Sequence, residues 1–236
     1  MKRVLILSGG NIDDTFALAW IKQNNYDLSI AADSGMEFFY RNGMVPDVIA
    51  GDFDSVADEA YRHWVEPVGL DELCGDGATG RCEADQEKKP EILRLNPVKD
   101  DTDTEYVIRE AIRRGATAIT VLGGTGTRLD HTLGNVHLLG IGVEYGVEIE
   151  LVDAHNRIRM ISDELLLLKK EQFGSYVSVL PFAGNAKGVT LEGLCYPLKD
   201  VELKAFSSLG ISNEIVEDCA RIKVEDGVLL VIEASD

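Results

Sequence analysis

The chain has 236 residues, of which 45% are apolar and 27% charged, which is ordinary for a globular protein and enough for one large domain or two modest ones. Its formal net charge of −18 argues against binding to nucleic acid or to an anionic membrane by charge attraction. The first apolar run is too short for a signal peptide, and no run approaches the roughly 20 apolar residues of a membrane helix, so we expect a cytoplasmic protein with reduced cysteines.

The first half of the chain alternates between strand and helix patterns. Val4–Leu7 is a continuous apolar run, typical of a strand buried on both faces. Ser8-Gly9-Gly10-Asn11 then leads into a helical pattern over about 13–23, and this turn fits either a simple tight turn or a phosphate cradle. Further strands are predicted at 28–32, 46–50, 92–95, 118–122 and 147–152, with helices at 36–42, 58–64, 102–114 and 132–139. This alternation predicts a mostly parallel sheet with helices on both faces.

Residues 66–90 interrupt the alternation, because they are rich in Gly and acidic residues and show little periodicity. We interpret them as a long surface loop or insertion, and the sequence leaves open whether it is a lid, an oligomer contact or an inert excursion. Cys74 and Cys82 lie within it without a zinc-ligand spacing. They fit exposed or structural thiols, a disulfide or a metal site.

Acidic residues follow several of the predicted strands, and ligands of parallel α/β sheets bind beyond the carboxyl ends of the strands. The residues concerned are Asp33, Asp52, Asp54, Asp100 to Asp103 and Asp130. Each fits a polar turn when taken alone, but their gathering at one edge favours a functional site. If the chain is still extended at Asp52 and Asp54, both side chains point to the same face. Oxygen-only ligands suit a hard cation such as Mg2+ or Ca2+.

Basic and glycine-rich residues accompany this acidic edge. Lys99, Arg128 and the turn Gly123-Gly124-Thr125-Gly126 suit the handling of a nucleoside triphosphate with Mg2+. The turn lacks the lysine of a P-loop, and hydrolase, metalloprotease and protein-kinase signatures are absent. We expect His131 to have a structural role at a helix start.

After about residue 156 the pattern changes to short alternating or apolar segments separated by Gly, Pro and Asn, which predicts a small antiparallel β domain. The polar stretch from Ser207 to Glu214 within it also fits a long hairpin loop.

Five motifs occur in a fixed order over most of the chain. They are Ala32-Asp33-Ser34-Gly35, Pro46-Asp47-Val48-Ile49-Ala50-Gly51-Asp52-Phe53-Asp54-Ser55, Lys99-Asp100 with Thr102-Asp103-Thr104-Glu105, Gly123-Gly124-Thr125-Gly126 with Arg128-Leu129-Asp130-His131 and Asn135, and Gly210 with Ser212-Asn213. Each motif is weak alone, but the ordered set resembles the thiamine pyrophosphokinase (thiamine diphosphokinase) family. Ser34 stands where that family usually has a second glycine, and the 66–90 segment is longer than the usual connection.

The resemblance implies an α/β fold in two domains. Residues 1–153 would form a mostly parallel, three-layer α/β domain that binds ATP and Mg2+, and residues 154–236 a smaller antiparallel β-sandwich that binds thiamine. It also implies a homodimer with sites between subunits. The reaction would transfer a diphosphoryl group from ATP to the hydroxyl of thiamine, giving thiamine diphosphate and AMP.

The resemblance also implies roles for the matching residues. Asp33, Asp52, Asp54 and Asp103 would hold Mg2+ and, through it, the ATP phosphates. Lys99, Gly123, Gly124 and Arg128 would bind ATP. Asp130 would lie near the thiamine hydroxyl or aminopyrimidine, Ser212 and Asn213 would bind thiamine, and Phe206 is a candidate to stack on it. The expected catalytic residues are Asp52, Asp54, Asp103, Arg128 and Asp130.

Two alternatives remain. One is a pyrophosphokinase of the same fold that acts on another hydroxymethyl heterocycle, such as a pterin. The other is a non-catalytic protein that binds a nucleotide or a divalent cation, which would bind ATP without releasing AMP. The intact set of charged residues argues against this second alternative.

Overall fold

The computed structural model of the chain describes residues 1–54, 56–65, 89–96 and 100–236. Its first part alternates strands with helices, as the sequence predicts. The strands are β1 (Arg3–Leu7), β2 (Leu28–Ala32), β3 (Val48–Gly51), β4 (Glu91–Arg94), β5 (Ala118–Leu122) and β6 (Glu148–Val152). The helices are α1 (Asp14–Gln23), α2 (Met36–Arg41), α3 (Asp58–Trp64), α4 (Asp103–Arg113) and α5 (Leu129–Tyr145).

These six strands are parallel and lie in the order β4-β3-β2-β1-β5-β6. Side chains of β1 alternate between the two faces. Val4 and Ile6 pack in a core with α4 and α5, whereas Leu5 and Leu7 pack in a second core with α1, α2 and α3. Helices therefore cover both faces of the sheet, which confirms the predicted three-layer α/β architecture.

The remaining strands are antiparallel and continue from the same sheet. They are β7 (Asn156–Ile161), β8 (Glu164–Leu168), β9 (Tyr176–Glu192), β10 (Leu198–Leu203), β11 (Cys219–Lys223) and β12 (Asp226–Ala234). The order runs on from β6 as β7-β12-β9-β11-β8, and β10 pairs with β9. The change from parallel to antiparallel pairing comes between β6 and β7, at the boundary predicted between residues 153 and 154. The division into two domains stays a prediction.

The long strand β9 belongs to both layers of the antiparallel part. Its first half pairs with β12, and its second half pairs with β10 and β11. Val179 and Val231 from the first layer share a buried core with Leu191 and Ile222 from the second. Positive φ angles at Ala183 (59°) and Gly184 (151°) bend the strand between the two halves. The sequence predicts two separate strands here, at 176–180 and 189–194, because Pro181, Gly184 and Asn185 are typical turn residues.

Helix α5 also differs from its prediction. It begins at Leu129 and ends at Tyr145, where Gly146 adopts a left-handed conformation with φ of 66°. The prediction over 132–139 is too short, because the helix contains internal glycines that resemble an end and has no side-chain cap at Arg128. Strand β10 was not predicted from the sequence. Among the described residues, no helix is both long enough and apolar enough to cross a bilayer.

Candidate active site

A cavity of about 660 Å³ lies at the carboxyl ends of β1, β2 and β5, beside the first turns of α4 and α5. The chain passes from β1 to β2 on one side and later adds β5 on the other side of β1. Such a switch point is where open α/β sheets bind their ligands. The lining residues come from 8–11, 32–34, 102–105, 123–128, 130–131, 134–135 and 138.

Two glycine turns form part of the cavity wall and are bonded to each other through the backbone. The Gly10 N–H donates to the Gly123 carbonyl at 2.8 Å, and the Asn11 N–H donates to the Thr125 carbonyl at 2.9 Å. A Cβ atom at Gly10 would lie 2.3 Å from the Thr125 carbonyl oxygen and 2.4 Å from that of Gly123. Glycine at position 10 is therefore required by the close approach of the two turns.

Side chains fix the second of these turns. Asn135 on α5 donates from Nδ2 to the Gly124 carbonyl at 2.7 Å. Thr125 donates from Oγ1 to a carboxylate oxygen of Asp153 at 2.9 Å. Asn135 belongs to the fourth sequence motif, but its anchoring role depends on tertiary contact and was not predicted.

Three carboxylates meet at this edge of the sheet. One oxygen from each of Asp33, Asp52 and Asp103 lies within 4.8 Å of the other two, and all three residues are half-buried. Ligands on opposite sides of a Mg2+ ion are about 4 Å apart, because each lies about 2.1 Å from the metal. Separations of at most 4.8 Å are close to this distance, and the all-oxygen chemistry suits a hard divalent cation, so the group is a candidate cation site.

Local backbone geometry brings the three carboxylates together. Asp33 follows β2 directly in a left-handed conformation with φ of 47°, which Asp tolerates better than most residues. At the end of β3, a Cβ atom on Gly51 would lie 2.9 Å from Cα of Asp33, so the two strand ends pack closely. Asp103 opens α4, whose preceding Thr102 accepts a hydrogen bond from the Glu105 N–H at 3.2 Å, in agreement with the predicted cap.

Asp54 is placed differently from the other three aspartates. Strand β3 ends at Gly51, and Phe53 has φ of 65° with its ring buried, so the chain is not extended between Asp52 and Asp54. The condition for a shared face is therefore not met. Asp54 is exposed and its N–H donates to Asp52 Oδ1 at 3.3 Å. A role for Asp54 as a metal ligand stays a prediction.

Arg128 and Asp130 line the other side of the cavity and form an ion pair with each other. Nη2 of Arg128 lies 2.6 Å from Oδ2 of Asp130, and Nε lies 3.2 Å from Oδ1. Hydrogen bonding to Arg128 is the main cause that lowers the pKa of Asp130 to about 2. Both side chains are about two-thirds exposed, so a ligand in the cavity can reach them. His131 follows in the first turn of α5, as expected, and also lines the cavity.

The residues predicted to bind thiamine lie away from this cavity within one chain. Asn213 is buried, and its side chain accepts from the Tyr196 N–H at 2.9 Å and donates to the Tyr196 carbonyl at 2.8 Å. Ser212 is exposed with φ of 57°, and its N–H donates to the Ser178 hydroxyl at 3.1 Å. Phe206 is fully exposed. The described lining residues all precede residue 139.

Several predicted residues fall outside the part of the chain that the structure describes. Lys99, Ser55, Cys74 and Cys82 are among them, as is most of the 66–90 segment. The structure adds Ser8 and Thr104 to the cavity wall, where their hydroxyl oxygens lie 2.7 Å apart. The turn after β1 gave a sequence signal for its glycines but none for this pairing, which joins residues 96 positions apart.

Comparisons with known proteins agree with this arrangement. Residues 20–151 match the family model "Thiamin pyrophosphokinase, catalytic domain", and residues 164–229 match "Thiamin pyrophosphokinase, vitamin B1 binding domain". The chain is similar to the thiamine pyrophosphokinase of Bacillus subtilis, at 28% identity over 239 residues and 100% of both chains. The crystal structure of a B. subtilis thiamine pyrophosphokinase superposes over 100% of both chains with a TM-score of 0.81. The enzyme structure from Geobacillus thermodenitrificans is 26% identical and covers 99% of this chain and 98% of its own, with a TM-score of 0.78.

Proposed function

This chain belongs to the thiamin pyrophosphokinase family, and we propose that it transfers a diphosphoryl group from ATP to the hydroxyl of thiamine, using Mg2+ held by an aspartate cluster. Membership of this family makes the chain a kinase of the thiamine diphosphokinase class. The observation that carries the finer proposal is the group of Asp33, Asp52 and Asp103 beside a glycine-walled cavity at the switch point of the sheet.

The ATP phosphates bind along the two glycine turns, where Gly123 and Gly124 permit close approach of backbone to ligand. Arg128 contacts a phosphate through its planar, charged fork of N–H groups. Lys99, which precedes the described start of α4, adds a second positive charge. These cations are needed because the chain is otherwise strongly acidic.

Asp33, Asp52 and Asp103 hold Mg2+, and Asp54 completes the set of ligands. When bound, the ion would supply positive charge against the negative charge that develops on the phosphates during transfer. The aspartates orient the phosphates indirectly, since a carboxylate that faced them directly would repel them. The close approach of the backbone at Gly51 to Asp33 supports this role, because it holds the Asp33 and Asp52 carboxylates on adjacent strand ends.

The transfer forms one bond and breaks another. The thiamine hydroxyl oxygen bonds to the β-phosphorus of ATP while the bond from that phosphorus to the bridging oxygen of the α-phosphate breaks. AMP leaves with the bridging oxygen, and the hydroxyl proton passes to solvent or to Asp130 near the acceptor. Arg128 stabilises the charge that spreads over the transferred group.

Thiamine binds between two subunits of a homodimer. The cavity of one chain is walled by residues before 139. Ser212 and Phe206 of the antiparallel part would approach it from the partner, and the buried Asn213 would hold the backbone beside Ser212 through its bonds to Tyr196. Exposed apolar side chains on both surfaces support this assembly. Leu129 and Leu133 are exposed on α5 beside the cavity, and Leu209 and Ile211 are exposed beside Ser212.

A product assay with thiamine and ATP tests the proposal. The purified protein, incubated with ATP, Mg2+ and thiamine, should give AMP and thiamine diphosphate in equal amounts and only when Mg2+ is present. Release of AMP with a hydroxymethyl pterin in place of thiamine would instead support the alternative acceptor. Binding of ATP without either product, in folded protein, would support a non-catalytic role. A cytoplasmic location and the 153/154 domain boundary remain parts of the proposal.

A further inference from the structure

Two buried hydroxyl groups meet in the wall of the nucleotide cavity. The Oγ atom of Ser8 and the Oγ1 atom of Thr104 lie 2.7 Å apart, and the two residues are only 5% and 8% exposed. Ser8 follows the last residue of β1, and Thr104 lies in the first turn of α4. Both residues line the cavity. The pair thus connects the first glycine turn with the helix that carries Asp103.

The Ser8–Thr104 pair has one hydroxyl hydrogen that the bond between the two residues does not use. Each hydroxyl carries one hydrogen, and either oxygen can be the donor to the other. Whichever residue accepts, its own hydrogen remains available, and neither hydroxyl has a second partner among the described residues. A buried donor without an acceptor costs free energy, and the cavity is the open space in which an acceptor can lie.

The neighbours of the pair identify the acceptor chemistry. Gly9, which follows Ser8, belongs to the first glycine turn. Asp103, which precedes Thr104, belongs to the carboxylate group. A ligand atom between them would be an oxygen that faces both a backbone turn and a metal site. Phosphate oxygens only accept hydrogen bonds, and bonds to a charged acceptor are the strong ones. Within the pair, the hydroxyl that accepts is polarised by the one that donates to it, which makes its own hydrogen a stronger donor to phosphate.

We propose that the Ser8–Thr104 pair donates one hydroxyl hydrogen to a phosphate oxygen of the bound nucleoside triphosphate. This inference rests on the proposed function, because it takes ATP as the ligand of the cavity. The pair acts as a single donor with two interchangeable members. A chain with either hydroxyl alone keeps one hydrogen for phosphate, and a chain with neither hydroxyl keeps none.

This redundancy gives the pair a distinctive mutational pattern. Ser8→Ala and Thr104→Val should each weaken ATP binding only a few-fold, because the remaining hydroxyl still donates but is no longer oriented by its partner. The double variant should lose at least about tenfold, and more than the product of the two single losses. Thr104→Ser keeps both hydroxyls and should bind ATP like the parent protein.

The experiment is calorimetric titration of the full chain and these four variants with ATP plus Mg2+ and, separately, with adenosine. Adenosine lacks phosphates, so its affinity should be the same in all variants, whereas ATP affinity should follow the pattern above. An ATP affinity of the double variant within twofold of the parent would overturn the inference. An equal loss for ATP and adenosine would also overturn it, because it would show a general distortion of the cavity.

ATP binding by the parent protein and the KM values of the single variants distinguish a failed role of the pair from a failed proposed function and from misfolding. Failure of the parent protein to bind ATP would overturn the proposed function itself, whereas a parent that binds ATP and a double variant that does so equally well would overturn only the role of the pair. If the double variant does not fold, steady-state kinetics of Ser8→Ala and Thr104→Val test the inference. A raised KM for ATP with an unchanged KM for thiamine supports it, and an unchanged KM for ATP in both single variants overturns it.

Discussion

Arg128 and Asp130 form a two-point ion pair at the rim of the cavity, with Nη2 2.6 Å from Oδ2 and Nε 3.2 Å from Oδ1. This ion pair joins two groups that we propose to contact substrates: the Arg128 guanidinium would bind phosphate, and the Asp130 carboxylate would lie near the thiamine hydroxyl. A carboxylate held near a pKa of about 2 is a weak proton acceptor. Transfer of Arg128 from Asp130 to a phosphate would therefore both bind the nucleotide and raise the basicity of Asp130.

Removing the charge of Arg128 should slow catalysis far more than it destabilises the protein. We expect Arg128→Gln to lower kcat/KM by roughly 10²–10³-fold, because it removes a cation from the transferred phosphoryl group. Arg128→Lys should recover part of this loss, since it keeps the charge but not the planar fork. Arg221, also exposed and paired with Glu164 on the antiparallel part, provides the matched control, and Arg221→Gln should leave kcat/KM unchanged.

The same ion pair predicts the titration of Asp130. The folded pKa of about 2 lies below the ordinary value of 3.8, so the stabilisation from this pair is fully present above about pH 4 and is lost as the pH falls through about 2. In Arg128→Gln the Asp130 carboxyl should titrate close to its ordinary value. Carbon-13 NMR of the labelled carboxylates measures both, and an unchanged Asp130 titration in the variant would contradict the pairing in solution.

Loss of a carboxylate from the aspartate group should weaken Mg2+ binding and slow the reaction. We expect Asp52→Asn to lower turnover by roughly a hundredfold or more in a folded protein, and to raise the Mg2+ concentration needed for half-maximal activity. Asp54→Asn should also lower turnover if Asp54 completes the set of ligands. Asp101→Asn is the control, because this exposed residue makes the same charge change close to Asp103 but lies outside the group. Near-normal turnover in both Asp52→Asn and Asp54→Asn would rule out the metal assignment.

How far the sequence predicts this site depends on whether each feature is local. Asp33, Asp52 and Asp103 were placed together correctly, because strand ends of a parallel sheet share one edge and the strands are strongly apolar. The separate position of Asp54 was not predicted, because it depends on the left-handed conformation of Phe53, which no sequence rule indicates for an aromatic residue.

Long-range contacts were the other limit of prediction. The Ser8–Thr104 contact and the hydrogen bonds of Asn213 to Tyr196 join distant parts of the chain. The continuity of β9 was missed for a related reason. Pro181 and Gly184 are residues that usually end a strand, but here they lie within one that is held by pairing in both of its halves. Family resemblance located the motif containing Asn213 but gave no sign that its side chain supports neighbouring backbone.

The contact between the two glycine turns predicts an asymmetry between two glycine substitutions. Gly10→Ala should destabilise the protein by about 1–3 kcal/mol, because its Cβ would overlap two carbonyl oxygens of the second turn. Gly140→Ala, within α5, would meet only the Met160 sulfur at 3.6 Å and should be neutral or stabilising by up to about 1 kcal/mol. Chemical denaturation of both variants measures the difference. Equal effects would contradict the close packing of the turns.

Sites shared between subunits make a prediction that a single-chain site does not. One variant, Asp52→Asn, damages the α/β part, and a second, Phe206→Ala with Ser212→Ala, damages the exposed thiamine-binding surface of the antiparallel part. In a mixed dimer with sites between subunits, one of the two sites combines the intact halves of both chains.

Random mixing gives mixed dimers in half of the molecules, so dissociated and reassociated variants should recover about a quarter of the sites of the parent protein. Activity measured before and after reassociation, with each variant reassociated alone as control, detects this gain. If each site lay within one chain, both chains of every mixed dimer would carry a damaged site and no activity would return. The same absence of recovery in a protein shown by light scattering to be dimeric would therefore place thiamine within one subunit.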